Sequence, residues 1–125
     1  MNKTEIGRLG ERIVGRWLER HGYSIVAQNY QIYGGELDLV AENAEYRAFV
    51  EVKTRKPNRM QSGLEAITRQ KQMRIIQTAA DYMQKNPADL QPRFDIAEVV
   101  LDGTRLLALD YIENAFDTTG FDIIF

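Results

Sequence analysis

The chain has no cysteine among its 125 residues, one histidine, three prolines and one tryptophan. Without cysteine there is no disulfide framework, no thiol nucleophile and no cysteine-ligated zinc, a composition that suits a reducing compartment and makes the cytoplasm the expected location. The lone His21 precedes Gly22 at what reads as a helix end, where an imidazole complements the dipole and makes a poor catalytic case. No apolar run approaches the roughly 20 residues of a membrane span, and the first residues lack the apolar core of a signal peptide. Gly34-Gly35 lacks the spacing of phosphate-cradling loops and reads as a turn, so neither an organic cofactor nor a membrane partner is expected.

With 44% hydrophobic residues, enough remains for one core. We therefore expect a single domain over residues 1–125, with residues 116–125 as an extra tail. The net charge of -2 hides a polarity: Arg47 to Arg74 carries eight basic and two acidic residues, whereas Asn86 to Phe125 carries eight acidic and two basic. A basic segment of net +6 inside an acidic chain is the footprint expected where an anionic partner approaches.

Apolar residues at Ile6, Leu9, Ile13, Val14, Trp17 and Leu18 recur at helical spacing and predict a helix over Thr4 to His21, stopped by Gly22. Gly7, Gly10 and Gly15 are costly inside it, by about 1 kcal/mol each relative to alanine, which implies close approach to a sheet at some of them. A strand over Tyr23 to Tyr30 follows, then a hairpin, then the basic loop 56–61. Ser62-Gly63-Leu64-Glu65 matches a capping box and predicts a second helix from there to about Lys85, ended by Asn86-Pro87. Strands over Arg93 to Leu101 and Arg105 to Ile112 flank the turn Asp102-Gly103-Thr104. The apolar end Ile123-Ile124-Phe125 suits an edge strand or a protein partner.

The hairpin carries the chemistry. Alternation puts Leu37, Leu39 and Ala41 on one face and Glu36, Asp38 and Val40 on the other, while Val50 and Val52 oppose Phe49, Glu51, Lys53 and Arg55. Asn43-Ala44-Glu45-Tyr46 reads as a tight turn, and a hairpin symmetric about the Ala44-Glu45 bond sets Asp38 opposite Glu51, with Cβ atoms roughly 5 Å apart. Facing carboxylates need positive charge between them, and an oxygen-only donor set suits Mg²⁺ or Mn²⁺. Lys53, two residues on and on the same face, is placed to orient an attacking water. Phosphodiester hydrolysis is the reaction that these parts serve most directly.

Glu11 lies on the flank of the first helix's apolar stripe and reads either as a surface glutamate or as a third carboxylate reaching the metal. Lys71 falls among Leu64, Ile67, Ile75 and Tyr82, on the face that its helix should bury; it either snorkels out or reaches the metal site or a substrate phosphate. Arg55, Lys56, Arg59, Lys71 and Arg74 are the expected nucleic-acid contacts. Most aromatics read as core, with Tyr30 and Tyr33 as candidates to stack on bases.

Gly7-x-x-Gly10-Glu11, Asn29, Gly35-Glu36-Leu37-Asp38-Leu39, Phe49-Val50-Glu51-Val52-Lys53-Thr54-Arg55, Lys71 and Arg93-Phe94-Asp95, in this order, resemble the bacterial YraN-like family of endonuclease-like proteins. The likeness runs from about Gly7 to Phe116. That family is similar to archaeal Holliday-junction resolvases and to the PD-(D/E)xK, restriction-endonuclease-like group. The resemblance implies an α/β fold, a central mixed sheet flanked by helices in the order α-β-β-β-α-β-β. It implies metal contact from Asp38 and Glu51, metal or water contact from Glu11, water activation by Lys53, and the Val52 backbone carbonyl as a further ligand. It also implies a homodimer acting on branched DNA. Two departures accompany it: Gly15 stands where alanine is more usual, and the tail after Phe116 is long.

The expected function is therefore metal-dependent DNA hydrolysis. The alternatives are a nucleic-acid-binding module with little or no cleavage, and a protein-interaction factor in DNA repair or uptake.

Overall fold

The computed structural model describes residues 1–58 and 67–121. Its elements run α1 (Lys3–Arg20), β1 (Ser24–Ile32), β2 (Gly35–Glu42), β3 (Tyr46–Arg55), α2 (Arg69–Lys85), β4 (Gln91–Asp102) and β5 (Arg105–Phe116). The expected order of helices and strands is the observed one. All five strands join one sheet in the order β1-β2-β3-β4-β5. Neighbours are antiparallel except β3 and β4, which are parallel and joined by the α2 crossover. No helix among the described residues is long and apolar enough to cross a membrane.

Each face of the sheet carries one helix. Val14 and Leu18 of α1 pack on Leu39, Ala41, Ala48, Val50, Ala97 and Val99. On the opposite face Ile75, Ile76, Ala79 and Tyr82 of α2 pack on Leu37, Val40, Phe49 and Phe94. Because both faces are covered, the central strands β3 and β4 are apolar on both sides over much of their length, as buried parallel strands must be. Phe116 and Phe121 extend the α2-side core, so the segment after β5 begins by packing back on the domain. The apolar end Ile123-Ile124-Phe125 lies outside the described residues.

Two expectations need correction. Leu37 does not share the face of Leu39 and Ala41; it packs with the α2 cluster. The cause lies beside it on β1, where Asn29 adopts φ 51° between the paired positions Gln28↔Leu39 and Tyr30↔Leu37 and breaks the regular alternation. Tyr30 is not free to stack on a base: its hydroxyl donates to Asp81 at 2.5 Å and its ring meets Tyr82 edge-on, while Tyr33 is fully exposed. The capping box over Ser62 to Glu65 lies outside the described residues. The Oγ1 of Thr68 caps the observed α2 by accepting from the Lys71 amide at 3.1 Å.

Of the three helix glycines, Gly10 alone touches the sheet tightly. A Cβ there would lie 2.0 Å from Thr54 Oγ1 and 3.3 Å from Thr54 Cβ, whereas one at Gly7 would meet nothing within 4 Å. Gly10 thus lets α1 settle against the end of β3, which carries the next residue, Glu11, to the sheet. Gly35 plays the matching part for α2, since a Cβ there would lie 2.0 Å from Thr78 Oγ1 and 3.2 Å from the Arg74 carbonyl oxygen. Thermal melts should therefore separate two chemically identical changes. Gly7→Ala is expected to stabilise by up to about 1 kcal/mol through helix propensity. Gly10→Ala is expected to lose about 1–2 kcal/mol net, because overpacking outweighs that gain. Equal melting shifts for the two variants would remove the argument for close approach.

Candidate metal centre

The hairpin register is the one that the turn residues imply. Asn43 and Tyr46 close a two-residue loop, in which the Asn43 carboxamide oxygen accepts from the amides of Glu45 and Tyr46 at 3.0 and 2.7 Å. The ladder then runs Glu42↔Arg47, Ala41↔Ala48, Val40↔Phe49 and Leu39↔Val50. It stops one step short of Asp38 and Glu51. From there β3 continues beside β4 as far as Arg55↔Val100, while β2 continues beside β1 to Ile32↔Gly35.

The two strands therefore part at the position where the carboxylates stand. In place of the next ladder bond, the Val52 amide donates to Asp38 Oδ2 at 2.8 Å. In extended backbone the N–H and C=O of one residue lie on the same strand edge, so the Val52 carbonyl faces the same gap. The parting of β2 from β3 opens a cleft of about 510 Å³ whose lining includes Glu36, Asp38, Glu51, Lys71 and Arg74.

The electrostatics of this cleft are unusual. Burial, then the charge of Glu51, push the Asp38 carboxyl up from 3.8 to about 7, with Glu11 and Glu36 adding to the rise and the Val52 amide opposing it. Four acidic side chains thus act on one another at one end of the sheet. Glu51 Oε1 has two ammonium partners, Lys71 Nζ at 3.2 Å and Lys53 Nζ at 3.5 Å. Burial and the neighbouring Lys71 lower the Lys53 pKa, against the pull of Glu51. Lys71 is raised: burial lowers it, and the links to Lys53 and Glu51 more than offset that.

Glu11 is held at the rim. Its Oε1 accepts from Arg8 Nη1 and Asn29 Nδ2, both at 3.0 Å, and the Asn29 amide also reaches Glu36 Oε1 at 3.3 Å. The left-handed backbone of Asn29 is what turns this amide between the two glutamates. Among the described residues no three His, Cys, Asp or Glu side chains form a ready-made ligand group. The donor set nonetheless fits a hard divalent ion, because a buried carboxyl with a strongly raised pKa beside a second carboxylate is relieved by added positive charge.

The structure gathers Asp38, Glu51, Lys53 and Lys71 around one cleft, with Glu11 joined through Asn29. Arg74 is exposed on the same cleft, and Lys56 is exposed beyond the end of β3. Arg55 is engaged elsewhere, with its Nε donating to Glu98 Oε2 at 3.1 Å. Arg59 lies outside the described residues. Sequence reasoning treated Asn29 and Arg93-Phe94-Asp95 only as parts of a motif. Asn29 links the acids, and Arg93 and Asp95 form a buried ion pair away from the cleft.

The fold and cleft define an α/β protein with an acidic pair and a lysine pair where two strands of a mixed sheet diverge. Residues 10–99 match the family described as "Uncharacterised protein family UPF0102", and the chain belongs to that YraN-like family. A UPF0102 protein of Alkaliphilus metalliredigens is 40% identical over 117 residues, covering 93% of this chain and all of the relative. Relatives from Dictyoglomus thermophilum and Caldanaerobacter subterraneus subsp. tengcongensis, also called UPF0102 proteins, are 37% and 38% identical. Each covers 93% of this chain, with 100% and 98% of the relatives spanned.

Proposed function

We propose that this protein is a metal-dependent endodeoxyribonuclease of the PD-(D/E)xK kind that hydrolyses DNA phosphodiester bonds, branched DNA such as Holliday junctions included, as a homodimer. The observation that supports it most is the Asp38 carboxyl, held largely buried beside Glu51 with a pKa pushed up to about 7 and a lysine pair within reach. Strongly perturbed carboxyls concentrate at functional sites.

Asp38, Glu51 and the Val52 carbonyl would hold Mg²⁺ or Mn²⁺, with Glu11 completing the rim. When bound, the ion supplies charge for the scissile phosphate and lowers the pKa of water. Lys53, whose pKa is already lowered, orients the attacking water and offsets charge that develops on the phosphate. Lys71 and Arg74 anchor a neighbouring phosphate from the α2 side. A nucleic-acid-binding module without cleavage is a second reading. It is favoured by one feature: two ammonium groups already neutralise Glu51.

Labelled junction, flap, single-stranded and duplex substrates, incubated with Mg²⁺ or Mn²⁺, separate the two. Cleavage by the native chain is expected, with Glu51→Gln and Lys53→Met each losing at least about 100-fold. Cleavage unaffected by both changes would assign the activity to a contaminant. Salt-sensitive binding with no cleavage would establish the module instead.

A further inference from the structure

On the far side of Glu11 from the cleft, α1 carries Arg8, Arg12 and Arg16, each exposed. They stand four residues apart, so they project from one face of the helix about 6 Å apart along its axis. With Gln28 and Asn29 of β1 they line a groove of about 430 Å³ that Glu19 bounds farther along the helix. Arg8 is tied to Glu11 at 3.0 Å. Arg12 and Arg16 have no ion pair or hydrogen-bond partner among the described residues. Three guanidiniums in one row repel one another, and among the described residues neither of the last two has a carboxylate within ion-pair distance.

The groove and the cleft share no lining residue, but one hydrogen bond, from Asn29 to Glu36, joins their walls. Glu11 and Asn29 belong to the groove's wall, and Glu36 lines the cleft of Asp38 and Glu51. The basic residues of the cleft lie on the α2 side of the sheet, whereas this row lies on α1. The acidic centre is thus flanked by positive charge on both sides.

From this we infer that the α1–β1 groove is a second binding track for nucleic acid, in which Arg12 and Arg16 hold successive phosphates of the strand that passes through the metal centre. The inference rests on the nuclease reading and adds to it the side from which substrate enters. A row at this spacing suits a polyanion rather than a single phosphate, and a planar guanidinium binds phosphate oxygens in pairs. Arg8 is held back by Glu11 and anchors the inner end of the row.

Fluorescence anisotropy with a labelled DNA junction in EDTA, from about 50 mM salt upwards, tests this. Arg12→Gln/Arg16→Gln should bind about tenfold more weakly, with a salt slope shallower by about 2, while Arg12→Lys/Arg16→Lys keeps the native slope. The rise in melting temperature on adding Mn²⁺ should be the same in all three proteins. Equal affinity and slope in the Gln variant would overturn the groove assignment and leave the nuclease reading standing. A native protein that binds no DNA at the lowest salt would overturn both. Binding to anionic vesicles in preference to DNA would reassign the groove to a membrane surface.

Discussion

Asp95→Ala should lower the stability of this protein by about 3–5 kcal/mol. The carboxylate is fully buried and its acceptor capacity is filled. Arg93 donates to it through Nε and Nη2 at 2.9 and 2.8 Å, Tyr111 through its hydroxyl at 2.5 Å, and Asn114 through its backbone amide at 2.9 Å. The Arg93 guanidinium sits 4.6 Å from the centre of the Tyr46 ring, and its Nη2 also donates to the Tyr23 hydroxyl at 2.6 Å. Burial lowers the Arg93 pKa, but Asp95 and Tyr23 more than offset this and raise it; burial and Asp95 both raise Tyr111. Truncating Asp95 leaves a buried cation and two part-buried donors with their main partner gone, which costs more than the pair itself contributes. For a chain of this size about 1 kcal/mol corresponds to roughly 4 °C, so the melting temperature should fall by about 11–19 °C. Adding Arg93→Met to the alanine variant removes the stranded charge and should return part of the loss. A double variant as unstable as the sum of its single changes would refute the network account.

That network was visible in the sequence only as a motif, and the reason is distance along the chain. Its members are Tyr23, Arg93, Asp95, Tyr111 and Asn114, gathered from β4, β5 and the residue before β1, which no local period can connect. The hairpin was legible for the opposite reason. The Asn43 side chain fixes the turn, a two-residue loop fixes the register, and the register brings Asp38 toward Glu51 across a short span of chain. Alternation failed at Leu37 because it assumes regular strands, and the left-handed Asn29 next door is the irregularity that helps to build the site. Lys71 shows the limit of helical counting. The spacing placed it on a buried face and left two destinations open, and only the packing of α2 over the cleft brings its ammonium to Glu51. Arg12 and Arg16 escaped notice because the charge count favoured a different segment.

Asp38→Asn should stabilise the protein at pH 8 and abolish its response to divalent cations. The folded chain raises the Asp38 carboxyl from 3.8 to about 7, so the folded state binds this proton more tightly than the unfolded one. The contribution of Asp38 to stability is then fully present below about pH 4 and is lost as pH rises through about 7. A shift of this size corresponds to about 2–4 kcal/mol once solvent screening at the cleft is allowed for. Asparagine keeps an oxygen to accept from the Val52 amide and carries no charge, so the variant should melt about 8–15 °C above the native protein at pH 8 and level with it at pH 4. Mn²⁺ supplies the missing positive charge by another route. At 100 times its dissociation constant a ligand adds about 2.7 kcal/mol, which should raise the native melting temperature by about 10 °C and leave the variant unmoved. The order of the melting curves decides the matter. A variant that melts no higher than the native protein at pH 8, or that gains as much from Mn²⁺, would mean that Asp38 is neither strained nor part of a cation site. The expected result would tie the cost of this carboxyl to its use, since the residue that destabilises the bare fold at neutral pH is the one through which a cation stabilises it.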